Sequence, residues 1–393
     1  MLHSSIGFHT FTVFRVIEAD EMRRIIKDFK AYSTSTRNIK MIPSENNKWN
    51  IEINYTDPYK GLRWLCRLCN CSEDSTAKLY SIEATINPKT FTGIKDYVTA
   101  ANENCLSITE TEFNREARSI SRVLGVFLQY KLKRIDYCAN FKLPELEIGC
   151  TAEQMMSLMK RGNIPAHYTE RKTYGDLSHR PKSDDSTFYL VSNSVVINCY
   201  DKYVQLIRNY PDNPSVEDAV GVIRFEIQCK YLKTYALADD IRRNGCYDYR
   251  ITNALLSNDL AKDIIVKYYN RVVMRGDYYP LKDAIAQVEA HHFKESKEER
   301  LKWVLNVTNR CRGISKAKET LTSEELEDYS SGVRELGGLG INPVTIPKEW
   351  NIKRIPNLLD AFFDKLNTEQ VQERYDEFME ECLGEYFADR KSG

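Results

Sequence analysis

The sequence has no run approaching the ~20 consecutive apolar residues needed to cross a bilayer. With 42% hydrophobic residues and a mean hydropathy of -0.51, it reads as a globular chain with no membrane span. Met1 to Phe14 carries no basic leader followed by a small-residue cleavage site, so the expected compartment is the cytoplasm. The stretch reads instead as a first strand, alternating through Phe8-His9-Thr10-Phe11-Thr12-Val13-Phe14. A second Cys or His pair is also missing. Cys66-Arg-Leu-Cys69-Asn-Cys71 stands alone, short of a structural zinc set. The 11 cysteines are an odd number scattered from Cys66 to Cys382, and read as small hydrophobes rather than as a disulfide framework. No internal repeat or low-complexity segment is present, and no Gly-x4-Gly-Lys-[Ser/Thr] loop for a nucleotide triphosphate.

Net charge is absent too, with 56 basic and 56 acidic residues. Taken as a sum this speaks against a nucleic-acid binder, which needs Lys and Arg to neutralise phosphates. The charges are segregated, however. Glu369 to Glu385 holds seven acids against the single Arg374, while Lys160 to Lys182 holds Lys160, Arg161, Arg171, Lys172, Arg180 and Lys182. An acidic tail can mask a basic working surface in the total.

At 393 residues the chain is long enough for two domains. Strands are expected at Phe8–Ile17, Trp49–Tyr55, Lys78–Ile86, Lys133–Phe141, Ser186–Val191, Val195–Tyr200 and Val222–Tyr231. Helices are expected at Asn114–Tyr130 and Ala152–Lys160, the latter with a Met155, Met156, Met159 stripe read as core packing. After Ala236 the strand signal stops, and Ile251–Asp259, Leu260–Met274, Leu281–Ala290, Lys297–Thr308, Ile314–Leu321 and Ser323–Leu336 read as helices. The fold class is therefore α+β: an antiparallel-sheet domain with packed helices over 1–236, then a mostly helical domain over 237–393 with an acidic tail.

Three segments place polar residues inside strand-like apolar runs. In Lys133-Arg134-Ile135-Asp136-Tyr137-Cys138, Arg134 and Asp136 share one face. They read either as an ion pair closing that face or as a carboxylate held for a metal. In Val195-Val196-Ile197-Asn198-Cys199-Tyr200-Asp201-Lys202, Tyr200 and Lys202 share a face if the strand continues. A tyrosine of pKa ~10 needs a nearby cation to act as a nucleophile, and an ordinary strand-end tyrosine beside a solvated turn is the plainer reading. In Gly221-Val222-Ile223-Arg224-Phe225-Glu226-Ile227-Gln228, Arg224, Glu226 and Gln228 align, as a hard-oxygen site for Mg2+ or Mn2+ or as an exposed sheet face.

Taken in order, the chain resembles the rolling-circle replication initiators, the gene II-type nickases of filamentous phages and the initiators of Gram-positive plasmids. The resemblance is carried by Arg134-Ile-Asp136, by Phe188-Tyr-Leu-Val-Ser192 leading into Tyr200-Asp-Lys202, and by Ile223-Arg-Phe-Glu226 with Lys230-Tyr-Leu-Lys233 behind it. Tyr80-Ser-Ile-Glu83-Ala-Thr-Ile-Asn87-Pro88-Lys89, Gly276-Asp-Tyr-Tyr279 and Leu339-Gly-Ile-Asn-Pro343, with Ile346-Pro347 and Trp350, extend it along nearly the whole length. It implies that Tyr200 attacks a phosphodiester, giving a 5′-phosphotyrosine and a 3′-OH primer, and that the strand is later rejoined without ATP. It also implies that Asp136, Glu226 and, less directly, Glu83 hold Mg2+ or Mn2+, and that Lys202, Arg224 and Arg134 serve the phosphate. The His-hydrophobic-His metal motif of many such nickases is missing; His291-His292 sits in the helical half and reads as a helix end. Implied partners are single-stranded and duplex origin DNA, a host helicase and a second copy of the chain. Arg310, Arg312, Lys316 and Lys318 are candidates for duplex contact or a solvated helix face. The competing readings are a relaxase of a conjugative or integrative element, a non-catalytic sequence-specific DNA-binding protein, and a structural or interaction protein.

Overall fold

A computed structural model describes residues 3–43, 50–57, 59–69, 79–94, 96–171, 186–247 and 249–369. The chain forms two compact units, Met1–Asn140 with Ile164–Tyr268, and Phe141–Asn163 with Tyr269–Gly393. These differ from a division after residue 236. The helices that follow the last strand stay with the sheet, and 141–163 joins the later helices.

The first unit is built on one ten-stranded antiparallel sheet. Its strands are β1 (Ser5–Ile17), β2 (Ile39–Pro43), β3 (Ile51–Tyr55), β4 (Leu62–Cys69), β5 (Leu79–Ile86), β6 (Lys131–Lys142), β7 (Thr169–Arg171), β8 (Thr187–Val191), β9 (Val195–Asp201) and β10 (Val222–Cys229). Their order across the sheet is β2-β3-β4-β5-β1-β6-β10-β9-β8-β7. All seven expected strands are present, and β2, β4 and β7 join them. Strand alternation explains the two faces. On β4 and β5, Leu62, Trp64, Cys66, Ile82, Ala84 and Ile86 are buried, while Arg63, Arg67, Glu83 and Thr85 occupy the alternate positions.

Two helices cover the apolar face. In α1 (Ala19–Thr36), Met22, Ile25 and Phe29 recur at helical spacing and are buried. The ring of Phe29 lies 6.0 Å from Trp64, and Trp64 lies 5.2 Å from Phe113. A helix spanning 114–130 is not what forms. After the short α2 (Pro88–Phe91), α3 runs Leu106–Ile120 and stops where Ser121 turns extended and its hydroxyl accepts the Val123 N–H. Two 3-10 turns then bury Leu124 and Phe127 beside Ala117 and Ile120. The buried residues keep a helix-like spacing although the backbone does not continue as one helix.

After β6 come α4 (Ala152–Met159), α5 (Lys202–Asn209), α6 (Tyr231–Arg243), α7 (Tyr249–Leu255), α8 (Asn258–Val272), α9 (Leu281–Glu289), α10 (Glu295–Cys311), α11 (Ile314–Lys318) and α12 (Ser323–Gly338). The second unit gathers α4, α9 to α12 and a last helix seen over 358–369. The Gly276-Asp277-Tyr278 and Gly340–Ile346 segments knit this unit together. Asp277 bridges to Ile341, Tyr278 to Ile355 and Pro280 to Ile346, and Asp277 also accepts the Arg354 Nε–H at 2.7 Å. Gly276 has φ +87, and a Cβ there would stand 2.5 Å from the Ile341 nitrogen, so the position requires glycine.

Among the described residues no helix is long and apolar enough to cross a membrane. Cys66 is buried and its thiol is pushed up to about 12 by burial, an inert core group. Cys71, the basic residues Lys172, Arg180 and Lys182, and the acidic positions from Glu373 to Glu385 lie outside the described residues.

Candidate active site

Four adjacent strands, β1, β6, β10 and β9, bring the chemistry together. Antiparallel register sets Arg224 directly opposite Tyr200 and Glu226 opposite Asn198, so these four share one face. Asp136 is the partner of Thr10 across β1 and β6, and Arg134 the partner of Thr12. The Tyr200 hydroxyl lies 3.5 Å from Glu226 Oε2, and the residue is only 9% exposed. Glu226 has its two oxygens differently engaged. Oε1 accepts the Gln228 amide at 2.8 Å, which leaves Oε2 facing Tyr200 and, at 3.9 Å, Nδ1 of His9.

His9 is a site residue that strand alternation concealed. On β1, Phe8 pairs with Tyr137 and Thr10 with Asp136, leaving His9 as the extra residue of a β-bulge. Bulges re-aim a side chain, and here the imidazole joins the acids. The readable trace was the spacing of the buried aromatics: Phe8 and Phe11 are three apart, where an unbroken strand would place them two or four apart. The side-chain Oδ1 of Asn87 accepts the Thr90 N–H, so its Nδ2 faces His9 Nε2 at 3.3 Å. Burial, then Arg224, Lys202, Arg134 and Lys89, pushes the imidazole well below its ordinary range.

The cations are arranged around the acids. Arg134 grips Asp136 with two bonds of 2.7 Å, the ion-pair reading of that strand. Even so, burial and the neighbouring Glu226 push the Asp136 carboxyl up to about 7. Arg224 is fully buried. Its Nε donates to Asn140 Oδ1 at 2.6 Å and its Nη2 to the Val98 carbonyl at 3.0 Å, while Nη1 has no hydrogen-bond partner among the described residues. Its guanidinium stands against the Tyr200 phenol and partly offsets the rise that burial causes there.

Lys202 does not continue the strand. β9 ends at Asp201, whose carboxylate accepts the Tyr203 and Val204 N–H groups at 2.9 and 3.2 Å and starts α5. Lys202 is nonetheless buried, with its ammonium 6.0 Å from the Tyr200 ring centre and bonded to Gln205 at 2.8 Å. Burial and then Arg224 hold it well below the usual lysine range.

Glu83 is not part of the cluster. It pairs with Phe14, four residues along β1 from Thr10, or about 13 Å at strand rise. Its carboxylate is taken by Lys133 at 2.5 Å and Arg67 at 3.2 Å. Arg310, Arg312, Lys316, Lys318 and the His291-His292 pair belong to the second unit.

Among the described residues no three His, Cys, Asp or Glu side chains stand together as a metal group. One further donor bears on a divalent ion. Asn198, opposite Glu226, is 5% exposed and its Oδ1 is buried without a hydrogen-bond partner among the described residues. An orphaned carbonyl oxygen opposite the Glu226 carboxylate, which itself raises the neighbouring Asp136, is the donor chemistry that Mg2+ or Mn2+ takes, so the residues fit such an ion.

No family model matches the chain, and no curated protein matches it. Among solved structures, a rolling circle replication initiator protein from Geobacillus stearothermophilus is similar at 10% identity, with a TM-score of 0.34, over 68% of this chain and 85% of that one.

Proposed function

We propose that this chain is a rolling-circle DNA replication initiator that nicks and rejoins one origin strand through Tyr200. The carrying observation is the Tyr200 hydroxyl set 3.5 Å from Glu226 Oε2, with Arg224 opposite Tyr200 on the same sheet face, Lys202 of α5 over its ring, and the Arg134–Asp136 pair beyond Glu226. A core tyrosine is normally surrounded by apolar groups; this one is ringed by buried charges, each costly unless used.

In the reaction the Tyr200 oxygen attacks phosphorus in line and the bond to the 3′ oxygen breaks. Glu226, oriented by Gln228, takes the phenolic proton, which returns through solvent to the departing 3′ oxygen and makes it the primer hydroxyl. The Arg224 guanidinium, against the Tyr200 phenol, would face the phosphate charge with Lys202 and Arg134. Asp136, Glu226 and the Asn198 oxygen would hold Mg2+ or Mn2+, which supplies charge screening at phosphorus and favours the phenolate. Because one phosphodiester replaces another, the same groups run in reverse to reseal the strand. Single-stranded and duplex origin DNA are the partners in this reading. A host helicase and a second copy of the chain belong to the same cycle.

The test is incubation with Mn2+ and a labelled single-stranded origin oligonucleotide, followed by denaturing electrophoresis. Wild type should give a covalent band, and Tyr200→Phe should lose it while still binding DNA. An undiminished band from the variant would remove Tyr200 as nucleophile. Binding without any wild-type band would favour the non-catalytic DNA-binding protein.

A further inference from the structure

Away from the Tyr200 cluster, the first unit exposes aromatic rings that its own core does not use. Tyr231, Tyr235 and Tyr247 are 47%, 55% and 60% exposed, and Leu128 58%. With Phe14, Lys131 and Arg242 they line a groove of about 500 Å³, within the ~300–1,000 Å³ span of ligand sites. The rings form a series. Phe14 lies 6.1 Å from Tyr231, Tyr231 lies 6.2 Å from Tyr235, and the Arg242 guanidinium sits 6.0 Å from the Tyr235 ring centre. The series begins at the Phe14 register of β1, about 13 Å along the strand from the Thr10–Asp136 pair.

We propose that this groove stacks the unpaired bases of a single DNA strand running to Tyr200. The inference deepens the nickase reading and rests on it for the nature of the ligand. Exposed tyrosines interleaved with Lys131 and Arg242 match a strand that is apolar on its base faces and anionic along its backbone; a purely apolar partner would leave both cations unmatched. Such stacking is indifferent to sequence, so the groove grips any bases, leaving recognition of the origin to other contacts.

The test compares the full chain binding a dT oligonucleotide with an abasic oligonucleotide of equal length and charge. Tyr235→Ala should weaken dT binding about tenfold, within the span seen for one lost base–ring stack, and leave abasic binding unchanged. Tyr235→Phe should restore the dT affinity. Equal dT affinity for wild type and Tyr235→Ala, or equal losses on both oligonucleotides, would overturn the proposal. So would a shift in sedimentation of DNA-free protein caused by Tyr235→Ala, which would make the patch an interface between copies. Tyr200→Phe, assayed in parallel, separates the two readings: loss of the covalent band bears on the nucleophile, and loss of base-dependent affinity bears on the groove.

Discussion

Glu226 shows how much of this site depends on one side chain doing two things. Gln228 anchors Oε1, so Oε2 stays toward Tyr200. Gln228→Ala should therefore slow single-turnover cleavage about fivefold, the scale of one lost hydrogen bond of ~1 kcal/mol, with DNA affinity unchanged in a binding titration. Asn140→Ala should act through stability instead. It leaves the buried Arg224 Nε unsatisfied, at about 2 kcal/mol or more, measurable as a shift in the urea midpoint. Strand parity put polar side chains at Asp136, Tyr200, Arg224 and Glu226 inside apolar runs, but it was the resemblance that singled them out as one set. His9 and Asn198 were legible in neither. The first reaches the site through a bulge, and the second matters only because no neighbour satisfies its oxygen.

Two local devices hold these residues in place. Asp201 ends β9 and caps α5, which turns Lys202 inward where a continuing strand would have set its direction by parity. Asp201→Ala should cost about 1 kcal/mol and reduce adduct yield, checked by thermal melting alongside the gel assay. Segment 96–101 is the other. It pairs with Phe8 through Ala101, and its Val98 carbonyl receives Arg224. Gly7 permits that approach, because a Cβ there would sit 2.0 Å from the Ala101 carbonyl oxygen. Gly7→Ala should thus destabilise the fold by about 1–3 kcal/mol and impair cleavage beyond what unfolding explains, seen as lower activity of the folded fraction. Strands rich in Val, Ile and Phe were readable because their period is two. The end of α3 at Ile120 was not, since Leu124 and Phe127 continue the burial spacing through 3-10 turns.

For the molecule as a whole, the neutral charge sum says little about function, because the charges gathered near Tyr200 are few and mostly buried. The α+β class followed from a strand-rich stretch preceding a helical one. The way α6, α7 and most of α8 remain with the sheet did not, because helical periodicity carries no label for the unit a helix joins. The account turns on a covalent bond at one residue. After reaction with Mn2+ and origin oligonucleotide, nuclease trimming and trypsin digestion, mass spectrometry should find nucleotide attached to peptide 183–202 at Tyr200. A nucleotide adduct on another tyrosine, or none on a protein that has cleaved its DNA, would contradict it.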